Sequence, residues 1–253
     1  MAVLTGISVM NILSHIQSSQ QAHRPQLAVL LDPEKPSACE ALLPYTAGVD
    51  MLFVGGSTGD NSADFIRFIR SQTPCPIVLF PGNVAQFTPD ADALLFLSML
   101  NARTPDVLIE PHIQAATAIR QSGIESIPMG YILIDGGRTS SVEQTTHSIP
   151  LSQADIPTIV STAIAAELLG KQLIYLEAGS GAHTPVSTEI IHNVRAQTTV
   201  PLIVGGGIRT PLAMKNAFDA GADIVVIGNH FEQHPQQLPL FVETKDHYVH
   251  LSR

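Results

Sequence analysis

Short apolar runs rich in Val, Ile and Leu recur along the chain with little polar alternation inside them. They cover residues 27–31, 51–54, 77–80, 93–98, 129–134, 173–177, 202–204 and 224–228. Continuous runs of this length suit parallel strands buried on both faces. Segments with helical spacing lie between most of them: 37–47 opening on a Ser37 cap, 61–71, 113–122, 155–169, 188–197 and 211–220. Gly170 and Gly221 fit positions just past helix ends, and Pro211 fits a first helical position. Residues 1–25 read as a first amphipathic helix rather than a signal peptide.

Strands alternating with helices give either a closed barrel or a doubly wound sheet. Eight runs at fairly regular spacing predict an α/β fold of the (β/α)8 TIM-barrel type, one domain over 1–253. One unit departs from the pattern. Residues 81–92 are short and rich in Pro, Gly and Asp, so an irregular segment replaces the third helix. Residues 139–151 and the tail after Phe231 read as excursions from the barrel.

Composition narrows the function. With 253 residues, 45% hydrophobic and 14% charged, the chain can bury a large core. None of its apolar runs approaches the roughly 20 residues of a membrane span, and a cytoplasmic protein is expected. A net charge of −9 without a Lys/Arg stripe argues against nucleic acid as a partner. Cys39 and Cys75 have no metal-ligand spacing and read as reduced thiols, and the scattered histidines form no zinc motif.

Barrel enzymes carry their chemistry at the C-terminal ends of the strands. After the seventh run stands Gly205-Gly206-Gly207-Ile208-Arg209-Thr210, and after the eighth Gly228-Asn229. Glycines let backbone approach an anion closely, and a helix start aims free N–H groups at it. After the sixth run stands Tyr175-Leu176-Glu177-Ala178-Gly179-Ser180-Gly181. A carboxylate there can accept the proton of a substrate hydroxyl. After the first run comes Asp32-Pro33-Glu34-Lys35, where Asp32 reads equally as a helix cap or as a ligand for a hard cation such as Mg2+. After the second comes Gly55-Gly56-Ser57-Thr58-Gly59, which fits a second phosphate or metal loop better than a hydrolase nucleophile elbow. Two anion-competent regions across one barrel mouth suggest a transferase.

Taken together and in this order, the DPEK, GGS, YLEAGSG, GGGI and GN motifs resemble the geranylgeranylglyceryl phosphate synthase family from about Leu27 to Asn229. The resemblance implies ether-bond formation between a polyprenyl diphosphate and the C3 hydroxyl of sn-glycerol 1-phosphate. It implies that Asp32 and Ser57 hold Mg2+. It implies that Tyr175, Leu176, Glu177, Ala178, Gly179, Ser180, Gly181, Gly206, Gly207, Gly228 and Asn229 bind the glycerol phosphate, with Glu177 and Tyr175 catalytic. Family members also lack a regular third helix, like segment 81–92. This chain departs from the family pattern at Glu34, where Asp is common, and at Leu30, where some bacterial relatives carry Lys. The YLEAGSG form resembles the archaeal branch, whose donor is generally C20. A homo-oligomer and transient membrane contact are expected. Phe80, Phe87, Phe96, Met129 and Tyr131 are candidates for the prenyl groove by strand position. The same phosphate motifs also fit a lyase or isomerase on this barrel, an FMN-dependent barrel, and a non-catalytic phosphometabolite-binding barrel.

Overall fold

The computed structural model describes residues 11–56 and 62–248. Eight strands close into a parallel barrel in chain order: β1 Gln26–Leu31, β2 Met51–Val54, β3 Ile77–Leu79, β4 Ala93–Met99, β5 Glu125–Leu133, β6 Leu173–Glu177, β7 Leu202–Gly205 and β8 Ile224–Ile227. The helices are α1 Ile12–Gln21, α2 Pro36–Leu42, α3 Ser62–Gln72, α4 Pro105–Leu108, α5 Glu110–Ser122, α6 Ser141–Thr146, α7 Ile156–Leu168, α8 Thr188–Gln197, α9 Pro211–Asp219, α10 Asn229–Gln233 and α11 Leu238–Asp246.

Alternation along each strand sorts the apolar residues into two layers. Ala28, Met51, Phe53, Val78, Leu95, Met129, Tyr131, Tyr175, Ile203 and Val226 fill the barrel interior. Leu27, Val29, Leu31, Leu52, Val54, Leu176 and Val204 face outward against the helices. This double burial explains why the strands read as unbroken apolar runs.

The N-terminal end of the barrel is closed by side chains. Ile12 and Ile16 of α1 are buried against the interior layer, each worth roughly 1.5–3 kcal/mol of hydrophobic stabilisation. Asn11 caps Ser14 N at 2.8 Å, and Glu125 accepts from Ile12 N and Leu13 N at 2.7 and 2.9 Å. Three aspartates repeat one device. Asp50, Asp92 and Asp223 each stand just before a strand and accept an N–H near the start of the adjoining one. These contacts are to Leu27 N, Ile77 N and Leu202 N, all at 2.8 Å. Lys245, Arg70 and Arg195 pair with the same three carboxylates.

Several expected boundaries shift. Strand β5 begins at Glu125, not Met129. Pro128 disguised its first half, yet its carbonyl still accepts Gln172 N at 2.8 Å. Helix α5 begins at Glu110, with α4 before it, because Pro105 and Pro111 sit in first turns where a missing N–H is harmless. Ser37 is not a cap. Helix α2 opens at Pro36 after Lys35, with no side-chain cap bond, and a 3-10 turn at Leu43–Tyr45 follows it. The expected first helix is α1, and residues 1–10 lie outside the described residues. Segment 81–92 holds only a 3-10 turn, Val84–Gln86, where a third crossover helix would stand. Buried Gln86 ties it down, accepting Gly82 N at 2.7 Å and donating to Gly56 O at 3.0 Å. The excursion at 139–151 carries α6, and the tail carries α10 and α11.

Candidate functional site

The loops after β6, β7 and β8 meet at the C-terminal end of the barrel. Ser180 Oγ donates to Asn229 Oδ1 at 3.1 Å, joining the first loop to the third. Arg209 donates to the carbonyls of Gly181 and His183, both at 3.4 Å, and to Ala182, which ties the β6 loop to the β7 loop by its carbonyl edge. Gly206 and Gly207 have φ of +82° and +72°, and a side chain on Gly206 would meet Glu177 Oε1 at 2.5 Å. The N–H groups of Ser180, Gly181, Gly206, Gly207 and Asn229 meet no acceptor among the described residues. Open amides on a glycine-rich surface form an anion cradle.

Not every residue of the YLEAGSG string takes part in that way. Leu176 and Ala178 direct their side chains into the outer layer. Ala178 N is committed to Gly205 O at 3.0 Å, and Gly179 N to Glu177 Oε1 at 2.7 Å. Ser180 and Gly181 therefore supply the amides of this loop. Leu176, Ala178 and Gly179 shape the loop, with their side chains or N–H groups engaged within the chain.

Glu177 points inward beside this cradle and is only 8% exposed. Its carboxylate accepts from the Tyr175 hydroxyl and from Gly179 N. Burial pushes its pKa above the ordinary carboxylate range, and these two hydrogen bonds offset part of that rise. The Tyr175 hydroxyl is pushed well above its own range by burial and then by the Glu177 charge, so it stays a donor. Gly205 makes room for the pair, since a Cβ there would meet Tyr175 Oη at 2.2 Å and Glu177 Oε2 at 2.8 Å. The Tyr175 ring stacks on Phe80 and meets Tyr131 edge-on, both at 5.5 Å between centroids. This aromatic floor under the mouth includes two of the expected groove residues. Met129 is buried within the barrel, while Phe87 and Phe96 pack in the outer layer, Phe96 against His112, so those last two do not face the mouth.

Asp32 stands across the mouth, after β1. Its Oδ1 accepts Glu34 N at 3.0 Å, and its Oδ2 lies 3.6 Å from Lys35 Nζ. It is therefore not the side-chain cap of α2. Lys35 itself is held by Glu232 of α10 at 2.8 Å, linking the β1 and β8 loops. Gly56 packs directly on the Asp32 carboxylate, where a Cβ would lie 2.7 Å from Oδ1. Ser57 follows Gly56 and lies outside the described residues. Among the described residues, no three His, Cys, Asp or Glu side chains converge. A lone hard carboxylate oxygen suits Mg2+, which keeps several waters and shares its shell with phosphate oxygens.

One part of the mouth escaped the sequence reading. Asp135-Gly136-Gly137-Arg138 follows β5, and a glycine pair with a cation just past a strand end was its visible signal. Gly136 O accepts from His183 N and Thr184 N at 2.9 and 3.0 Å, so this loop leans on the β6 loop.

The PcrB family model matches residues 20–245. A geranylgeranylglyceryl phosphate synthase of Zunongwangia profunda is 44% identical over 226 residues, covering 87% of this chain and 97% of that protein. One from Korarchaeum cryptofilum is 38% identical, covering 90% and 96%. Among solved structures, (S)-3-O-geranylgeranylglyceryl phosphate synthase from Thermoplasma acidophilum, in complex with its substrate sn-glycerol-1-phosphate, superposes with a TM-score of 0.86. It is 31% identical over 94% of this chain and all of the other.

Proposed function

The chain belongs to the PcrB family, and from that premise we infer that it is a prenyltransferase joining a polyprenyl diphosphate to sn-glycerol 1-phosphate through an ether bond. The supporting observation is the buried Glu177–Tyr175 pair set beside the open amides of Ser180, Gly181, Gly206, Gly207 and Asn229. The cradle takes the phosphate and leaves the far hydroxyl of the glycerol at the carboxylate. Tyr175 orients Glu177. Glu177 accepts the C3 hydroxyl proton as the oxygen attacks the first prenyl carbon, and the carbon–oxygen bond to diphosphate breaks with its electron pair on the leaving group. A raised carboxylate pKa makes Glu177 a better proton acceptor near neutrality.

Asp32 and Ser57 are the residues that would hold Mg2+. The ion would supply positive charge to the departing diphosphate. Phe80 and Tyr131 start the apolar path for the prenyl chain, and the YLEAGSG form favours a C20 donor. Among the described residues no helix is long and apolar enough to cross a membrane. A cytoplasmic enzyme that touches membrane to collect its donor fits this reading. Ile113, Leu168 and Leu169 are well exposed on and beside α5 and α7, which suits a homo-oligomer contact.

The test is direct. Purified protein with geranylgeranyl diphosphate, Mg2+ and sn-glycerol 1-phosphate should yield extractable ether lipid after dephosphorylation. The 3-phosphate enantiomer should yield little, and EDTA should stop the reaction. No ether with any donor from C15 to C35 would remove the transferase reading.

A further inference from the structure

We propose that Arg138 closes the glycerol-phosphate cradle from the β5 side and binds the acceptor's phosphate directly. The proposal rests on the acceptor reading above and adds a residue to it.

The loop that carries Arg138 is held at both ends. Gly136 O accepts two N–H groups of the β6 loop, and Asp135 Oδ1 accepts Gly137 N at 2.8 Å. On the other side, Ser140 caps α6 in a reciprocal capping box with Glu143, and its Cβ lies 2.7 Å from where a Gly179 side chain would begin. Arg138 is therefore presented over the β6 loop by anchored backbone. Little ordering remains to be done when an anion arrives.

The guanidinium stands where two donors face one space. A Cβ built on Gly181 would lie 3.3 Å from Arg138 Nη1 and 3.6 Å from Asn229 Nδ2. Asn229 Oδ1 is already taken by Ser180 Oγ, which leaves its amide nitrogen turned toward this space. Among the described residues Arg138 makes no ion pair or hydrogen bond. Donors converging without an acceptor call for an anion between them, and a guanidinium fork matches phosphate oxygens.

Two other cations at this end have their donors engaged within the chain. Lys35 is held by Glu232, and Arg209 donates to the backbone carbonyls of the β6 and β7 loops. Among the described residues, Arg138 is thus a cation with open donors beside a cradle otherwise built from neutral amides. Its neighbours Gly181 and Asn229 belong to the acceptor side of the mouth, so the acceptor's phosphate is the anion it meets.

Steady-state kinetics of R138Q and R138K separate this role from a structural one. R138Q should raise KM for sn-glycerol 1-phosphate about tenfold to hundredfold. Its KM for the prenyl diphosphate should stay within about twofold, and its thermal midpoint should be unchanged, because the side chain is exposed. R138K should recover part of the loss. An acceptor KM within about twofold of wild type, or an equal rise in both KM values, would overturn the proposal. Calorimetric titration with sn-glycerol 1-phosphate alone keeps the two readings apart. If wild type binds it and R138Q binds at least about tenfold more weakly, Arg138 stands even if no ether forms. Equal affinity sinks Arg138 even if wild type is an active transferase.

Discussion

The two ends of the barrel treat backbone N–H groups in opposite ways. At the N-terminal end, Asp50, Asp92, Asp223 and Glu125 accept the N–H groups at the starts of strands and of α1, and basic side chains neutralise the three aspartates. At the C-terminal end, glycine loops leave N–H groups open, and two nearby carboxylates that could accept from them are engaged elsewhere, Glu177 by Gly179 N and Tyr175 and Glu232 by Lys35. One end is satisfied within the chain and the other is left for ligand. The contrast divides stability from binding along the barrel axis. Substitutions at one end should change what the protein does, and those at the other only how firmly it stands.

The sharpest division is expected at Glu177. E177Q should lower kcat/KM by about a hundredfold to ten-thousandfold, while acceptor binding measured by calorimetry changes little. Burial raises the pKa of Glu177, so wild-type activity should fall with acidification at a pH above the ordinary carboxylate range. The same shift carries a stability consequence of defined sign. A carboxyl whose folded pKa is raised stabilises the fold below its unfolded pKa and loses that contribution as pH rises through the folded value. The melting temperature of E177Q relative to wild type should therefore increase as pH rises through that window.

The next largest effect is expected at Gly205. Its substitution by Ala pushes a methyl into Tyr175 and Glu177, and kcat should drop by roughly a hundredfold through misplacement of the base. A drop of less than threefold would show that the pair does not need its present geometry. D32N tests the far side of the mouth. It should weaken apparent Mg2+ affinity about tenfold or more and raise donor KM, with acceptor affinity unchanged. Y175F should cost about tenfold in kcat. Because the Tyr175 hydroxyl lowers the Glu177 pKa, its loss should move the acid limb to higher pH. A limb that moves the other way would deny the hydrogen bond its role.

The smallest effect on activity is expected at the closed end. D223A removes the acceptor for Leu202 N and the partner of Arg195. It should cost about 1–3 kcal/mol of stability, a fall of several degrees in Tm, with both KM values within about twofold of wild type. A tenfold change in either KM would erase the division between the ends.

The barrel itself was legible in the chain because strands buried on both faces write unbroken apolar runs. The missing third helix was legible because Pro, Gly and Asp crowd residues 81–92. Boundaries at Pro105, Pro111 and Pro128 were not legible, since a proline reads as a break whether or not its N–H is needed there. The cradle showed as glycines, but which amides stay open depends on contacts between loops. Ala178 and Gly179 look like Gly181 in sequence and differ only because Gly205 O and Glu177 take their N–H groups. Arg138 was hidden for the same reason, as its position over Gly181 arises from the lean of one loop on another.

The most direct test of the open and closed ends is an amide chemical-shift titration of the isotope-labelled protein with sn-glycerol 1-phosphate alone. The N–H resonances of Ser180, Gly181, Gly206, Gly207 and Asn229 should move together with one saturation curve, while those of Leu27, Ile77 and Leu202 stay still. Shifts centred on Asp32 and Gly56, or spread evenly over both ends, would contradict the assignment of the acceptor to the open amides.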